Sequence, residues 1–137
     1  MKNELRSSMK DLLLLSIRLT LSYGFLNAAI MKFQDVSSNA EWFKSIGIPF
    51  PVINTWLSGG VEAIGAVFLI AGLLVRLTSV SLIFLMIIAI LTVHIGTGFN
   101  SANNGFEINL YYILMLLTLL LYGYGKYSVN RLISHEK

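Results

Sequence analysis

The stretch VEAIGAVFLIAGLLVRL (residues 61–77) decides the fold, because only Glu62 and Arg76 interrupt an otherwise apolar run. A charge inside a bilayer costs roughly 2.5–3.5 kcal/mol on insertion scales. An acidic residue there is therefore expected to pair with another group or to have a functional role. Similar runs fill most of the chain. A hydrocarbon core of about 30 Å needs about 20 apolar residues per helix. The sequence therefore predicts an all-α, polytopic membrane protein.

Four apolar runs predict an antiparallel bundle of four transmembrane helices, at about residues 12–33, 52–74, 77–98 and 108–124. The 137 residues are 55% hydrophobic and 12% charged, whereas soluble domains are about 25% charged. Four helices leave no room for a second domain, so residues 1–137 are predicted to form one membrane domain. The chain has no cysteine, which excludes disulfides, cysteine-ligated clusters and covalent c-type haem.

Lysine and arginine are distributed unevenly over the helix ends, and this bias predicts the orientation. The helix ends on one side of the predicted bundle carry most of the cations, namely Lys2, Arg6, Lys10, Arg76, Lys126, Arg131 and Lys137. The opposite side has Lys44 and the border residue Lys32. The positive-inside rule therefore predicts that both termini are cytoplasmic. The cations are spread over several loops and form no stripe, so we predict no nucleic-acid partner.

The connecting segments carry weaker signals. Residues 1–11 are predicted to be a polar lead, and residues 39–46 a short interfacial helix capped by Ser38. Pro49 and Pro51 would end that helix and redirect the chain. The polar loop at residues 100–105 is predicted to be flexible, as a lid would be.

Five charged residues lie inside or at the ends of the predicted helices: Arg18, Lys32, Glu62, His94 and Glu107. At 1.5 Å per residue, Arg18 lies roughly 9 Å from the cytoplasmic face and Glu62 about 15 Å deep. His94 lies about 5 Å below the outer face, where Lys32 and Glu107 are placed. Helical spacing puts Arg18 and Lys32 on the same face of their helix. It puts Glu62 on a helix face made of small and polar residues. These residues are predicted to point into the bundle.

In a structural interpretation, Arg18 pairs with Glu62, and Lys32 pairs with Glu107 or Asp35. Such pairs fix the register of the helices without any chemistry. Lys32 would alternatively extend its amine to the membrane surface, as lysines at helix ends often do.

In a functional interpretation, Glu62, His94 and Glu107 form a site in the outer half of the bundle. A histidine close to carboxylates exchanges protons near neutral pH, which two-electron quinone chemistry requires. Candidate apolar walls for a quinone ring and tail are Phe25, Phe84, Met86, Phe99 and Tyr111.

A metal site is a third interpretation. One histidine and two glutamates form a ligand set for zinc or non-haem iron. No His/Glu pair has the i, i+3 or i, i+4 spacing that would place both on one helix face, so we assign no metal ligand. His135 is predicted to be cytoplasmic, which leaves His94 alone for haem ligation within the membrane.

The chain resembles the DoxX family of small bacterial membrane proteins over nearly its whole length. The matching stretches are RLTLSYGFLNAAIMKF (18–33), GIPFP (47–51), VEAIGAVFLIAGLLVRL (61–77), MIIAILTVHIGTGF (86–99), GFEINL (105–110) and YGYGKYSVNRL (122–132). The polar positions of the family match at Arg18, Lys32, Glu62, Arg76, His94 and Glu107. The chain departs from the family pattern at Asn27 and Ala29, and at KYSVN (126–130) in the tail.

The resemblance implies a multi-pass protein of the bacterial inner membrane. Some relatives are membrane subunits of quinone-linked oxidoreductases such as thiosulfate:quinone oxidoreductase, which implies a quinone as cofactor and a redox enzyme as partner.

On this hypothesis His94, Glu107 and Glu62 are catalytic and exchange protons, whereas Arg18, Lys32 and Tyr111 bind the cofactor. The alternative is a non-catalytic membrane partner or assembly factor, for example of a metal-handling or oxidative-stress system, whose buried charges are structural. A homo-oligomer is compatible with either hypothesis.

Overall fold

The computed structural model describes residues 1–134, which form helices joined by short connections. The α-helices are α1 (Lys2–Gln34), α2 (Val36–Ser45), α3 (Pro51–Ala71), α4 (Val75–Ala89), α5 (Glu107–Tyr122) and α6 (Val129–Ser134). A π-helical turn (Ile90–His94) and a 3-10 turn (Ile95–Thr97) extend α4, and a second 3-10 turn (Ser101–Asn103) precedes α5. No strand occurs in residues 1–134, so the all-α prediction is confirmed there. The predictions for His135 and Lys137 lie outside the described residues.

Three helical segments are long and apolar enough to cross a membrane: Lys2–Gln34, Pro51–Ala71 and Val75–Thr97. The fourth apolar helix, α5, has 16 residues and is therefore about 24 Å long. The protein is thus a helical membrane protein. Many large apolar side chains on the outer surfaces are exposed, Leu57 and Val67 among them, as a lipid-facing surface requires.

The bundle consists of two closely packed helix pairs, α1 with α3 and α4 with α5. Glycines let α3 approach its neighbours, as small residues do in membranes. A Cβ at Gly59 would lie 2.8 Å from the ring of Phe33 on α1, and one at Gly65 would lie 3.0 Å from Leu82 on α4. The core between the pairs contains Leu14, Leu21, Phe25, Leu69, Leu82, Leu116 and Leu119.

Three of the predicted boundaries are wrong, and one of them is the end of the second apolar helix, which lies at Ala71 rather than at residue 74. The predicted polar lead is helical, because α1 begins at Lys2 and meets no helix-breaking residue before its transmembrane part. The short helix α2 begins at Val36 and its N-cap is Asp35 rather than Ser38. The Asp35 carboxylate accepts hydrogen bonds from the backbone N–H and the hydroxyl of Ser38, at 2.9 and 2.6 Å. Pro51 occupies the first position of α3, where its missing N–H costs nothing.

Candidate functional site

An apolar cleft of about 760 Å³ separates the two helix pairs in the half of the bundle that contains the C-terminal end of α1. Phe25 and Ala28 of α1, Trp42 and Phe43 of α2, and Phe84 and Met86 of α4 form much of its wall. Leu57 of α3 and Phe84 of α4 line the cleft and are also 60% and 66% exposed. The cleft therefore opens sideways between α3 and α4. We call it the apolar cleft.

A buried ion pair between α1 and α3 lies in the wall of the apolar cleft. The Lys32 ammonium lies 2.7 and 2.9 Å from the two carboxylate oxygens of Glu62. The side chains are 18% and 6% exposed, so both charges are largely removed from solvent and lipid. The prediction that Lys32 pairs with Glu107 or Asp35 is wrong.

The direction of the Lys32 side chain explains this partner. Side chains on an α-helix lean toward its N-terminus. Lys32 stands near the C-terminal end of α1, so its amine is directed back into the bundle rather than out to the surface. There it meets Glu62, which shares the inward face of α3 with Thr55 and Ala66, both fully buried as their spacing predicts.

Arg18 is buried as predicted, but its predicted pairing with Glu62 is wrong. Its guanidinium donates hydrogen bonds of 2.6 to 2.8 Å to the carbonyl oxygens of Leu69, Ile70, Tyr124 and Tyr127. Two of these carbonyls belong to the last turn of α3, whose carbonyls lack partners within the helix. Arg18 therefore joins the end of α3 to the segment after α5, and it does not line the apolar cleft.

His94 lines the apolar cleft at the end of the π-helical turn. Its Nδ1 lies 2.7 Å from the carbonyl oxygen of Asn104. A carbonyl only accepts hydrogen bonds, so Nδ1 carries the proton, and Nε2 of the neutral ring is left as an acceptor. π-helical turns are frequent at functional sites because they re-aim one side chain within a helix.

Glu107 and Tyr111 do not line the apolar cleft. The Glu107 carboxylate accepts a hydrogen bond from the backbone N–H of Ser101 at 3.0 Å and one from the Tyr111 hydroxyl at 2.9 Å. The backbone N–H of Glu107 donates to the carbonyl of Phe99. The loop at residues 100–105 is thus held by a set of hydrogen bonds, and Glu107 serves to secure it.

Tyr112 and Asn109 also line the apolar cleft, and the sequence did not identify them. The Tyr112 ring packs edge-on against Phe25, with centroids 5.2 Å apart. The Asn109 amide lies 3.5 Å from the Met86 sulfur. Asn109 lies in the first turn of α5, and an asparagine there in an apolar helix is a sequence signal for a polar group in a cavity wall.

The geometry gives no support to a metal site. Within residues 1–134, no group of three or more His, Asp or Glu side chains is placed to hold a metal ion. Glu62 is held by Lys32, and Glu107 by Ser101 and Tyr111, so two of the three candidate ligands have other partners.

Comparison with known proteins agrees with the predicted resemblance. A relative from Haemophilus influenzae, described as an uncharacterized protein, is 33% identical over 128 residues, which cover 88% of this chain and 82% of the relative. No solved structure is significantly similar to the chain. The model of the DoxX family matches residues 13–95, which include Arg18, Lys32, Glu62 and His94. The chain therefore belongs to the DoxX family.

Proposed function

We propose that this protein is the membrane subunit of a quinone-linked redox system and that it binds a quinone in the apolar cleft. The observation that carries the proposal is the Lys32–Glu62 ion pair in the wall of a cleft that opens sideways between α3 and α4. The redox role itself rests on the family resemblance, whereas the kind of ligand rests on the cleft.

The cleft suits a small, largely apolar molecule. Its volume of about 760 Å³ lies within the roughly 300–1,000 Å³ of typical ligand pockets. Aromatic and aliphatic side chains dominate its wall, with a few polar groups among them. A lateral opening between Leu57 and Phe84 would admit a ligand directly from the bilayer, where quinones are dissolved.

The ion pair supplies a donor for a carbonyl oxygen. A lysine ammonium has three N–H groups, and the two Glu62 oxygens occupy two of them. The third is free to donate to a quinone carbonyl in the cleft. A charge-assisted hydrogen bond of this kind is stronger than a neutral one.

Proton exchange is assigned to Glu62 and His94. A bound quinone takes up two electrons and two protons when it is reduced to the quinol. The electrons would come from a partner redox enzyme. His94 Nε2 is the ring nitrogen left free by the hydrogen bond from Nδ1 to the Asn104 carbonyl, so it is the atom that would exchange a proton with the quinone. Glu107, Tyr111 and Arg18 lie outside the cleft, so we assign them to holding the loop and the helix ends rather than the ligand.

The proposed setting is the bacterial inner membrane, with four crossings and both termini in the cytoplasm. The three long helices and α5 would supply the crossings. The cation bias of the helix ends supports the orientation. The apolar cleft then lies in the outer half of the bilayer.

The test is a titration of the purified protein in detergent with decylubiquinone, a quinone that quenches tryptophan fluorescence. Trp42 lines the cleft, whereas Trp56 does not, so a Trp56→Phe background leaves one reporter. We expect saturable quenching. Ala28→Phe should abolish it by filling the cleft, and Ile30→Phe, an exposed position on the same helix outside the cleft, should leave it unchanged. His94→Ala should weaken binding while the protein still inserts and folds.

The alternative function is that of a structural membrane partner or assembly factor. The observation favouring it is that Lys32–Glu62 and Arg18 each join elements distant in sequence, as purely structural contacts would. On this alternative Glu62→Gln lowers the melting temperature but leaves quinone quenching untouched. Quenching that is absent from the wild type, or unaffected by Ala28→Phe, would exclude the quinone proposal.

A further inference from the structure

A second cleft, of about 800 Å³, lies at the other end of the bundle. It is bounded by the early part of α1, the start of α4, the segment after α5, and α6. Its basic side chains are Lys10, Arg76, Lys126 and Arg131, each from a different one of these elements. We call it the basic cleft.

Three of the four cations of the basic cleft have no acidic partner among residues 1–134. Among the described residues that line it, Asp11 is acidic, and one Asp11 oxygen accepts a hydrogen bond from the backbone N–H of Lys126 at 3.0 Å. Lys10 lies over the ring of Tyr122, 4.8 Å from its centroid. Within residues 1–134, the side chains of Lys10, Arg76 and Lys126 form no ion pair. Three cations therefore face one concave surface without an acidic partner there.

Buried contacts fix the shape of this surface. Gly123 and Gly125 have φ values of +78° and +72°, a conformation that glycine adopts without strain, and they turn the chain after α5. Arg18 then holds this segment by donating to the carbonyls of Tyr124 and Tyr127 at 2.8 and 2.6 Å. The segment that carries Lys126 is thus tied to the bundle core, so the basic cleft is a built site rather than a set of loose surface lysines.

Apolar side chains border the cations. Leu74 and Leu77 line the basic cleft and are 51% and 63% exposed, and Tyr122 is also exposed. The first turn of α4 has no side-chain cap, so its amide groups add to the positive potential. A ligand that is complementary to this surface has a negatively charged head group with an apolar portion beside it.

We infer that the basic cleft binds the phosphate group of an anionic phospholipid, with the acyl chains along Leu74 and Leu77. Basic pockets between membrane helices recognise anionic lipid head groups through such contacts. The same cations would also bind free inorganic phosphate. That ion has no apolar part to pack against the exposed leucines, whereas a phospholipid has. This site is independent of the apolar cleft and of any quinone.

The test is native mass spectrometry and thermal unfolding of the full chain in a neutral detergent, with added phosphatidylglycerol, phosphatidylcholine or inorganic phosphate. We expect phosphatidylglycerol to be retained and to raise the melting temperature, and the other two to have little effect. Arg76→Gln and Lys126→Gln should each lower the affinity for phosphatidylglycerol about fivefold, and together about 25-fold. Lys44→Gln, which removes an exposed cation outside the cleft, is the matched control.

The outcomes separate the sources of the phosphate. An equal effect of inorganic phosphate would overturn the lipid assignment. Equal retention of phosphatidylcholine, or equal losses in the Lys44→Gln control, would show that no specific site exists. Because Arg76 and Lys126 are exposed, both variants should fold, and their unfolding without lipid verifies this.

Discussion

Removing both partners of the Lys32–Glu62 ion pair should destabilise the bundle no more than removing one of them. Glu62 is 6% exposed, so Glu62→Gln leaves the Lys32 ammonium buried without a counter-charge. Breaking a buried pair in this way costs about 3–5 kcal/mol, and a lone charge in a membrane costs roughly 2.5–3.5 kcal/mol. Lys32→Gln should cost a similar amount. The double variant leaves no charge, so it should cost about as much as one single variant.

The assay is a double-mutant cycle in which each variant is unfolded in SDS. Unfolding is monitored by the fluorescence of Trp56. That indole stacks on Phe33, the neighbour of Lys32, with centroids 5.2 Å apart, and therefore reports on this contact. We expect a coupling energy of about 3 kcal/mol from the costs above. Single-variant costs that add to within about 0.5 kcal/mol in the double variant would refute the buried ion pair.

Two further predictions concern the helix contacts. Gly24→Ala should destabilise the protein by about 1–3 kcal/mol, because the new Cβ would collide with the Tyr112 hydroxyl group. Gly60→Ala, whose Cβ would meet nothing within 4 Å, should be neutral or stabilising in the same unfolding assay. The hydrogen bonds from Ser38 hold the pKa of Asp35 below its usual value, so Asp35 stabilises the fold above its unfolded-state pKa of about 4. The difference in melting temperature between wild type and Asp35→Ala should therefore vanish as the pH falls through the folded-state pKa, and a difference that persists at low pH would contradict this.

The inward faces of the helices could be predicted from the sequence, because burial follows helical spacing. Arg18, Ser22 and Phe25 share one stripe, and all three are buried. The partner of Arg18 could not be predicted in the same way. Its acceptors are backbone carbonyls, which every residue has, and they are brought together by the end of α3 and a glycine-rich turn.

Helical rise predicts a depth of about 15 Å for Glu62 and a position at the outer face for Lys32, which are too far apart to suggest a pair. Those depths are positions of Cα atoms along straight helices, and they do not include the reach and direction of the lysine side chain. The site around His94 was likewise predicted only in part. The π-helical turn at Ile90–His94 has no pattern in the sequence, yet it decides where the imidazole points.

The most direct test of the quinone proposal is native mass spectrometry, with ultraviolet-visible spectra, of the protein purified gently from its own membrane. The proposal predicts a co-purifying quinone in the wild type and in Ile30→Phe, and none in Ala28→Phe, which fills the apolar cleft. The proposal would be contradicted by a wild-type protein that carries no quinone. It would also be contradicted if Ala28→Phe retained as much quinone as the wild type.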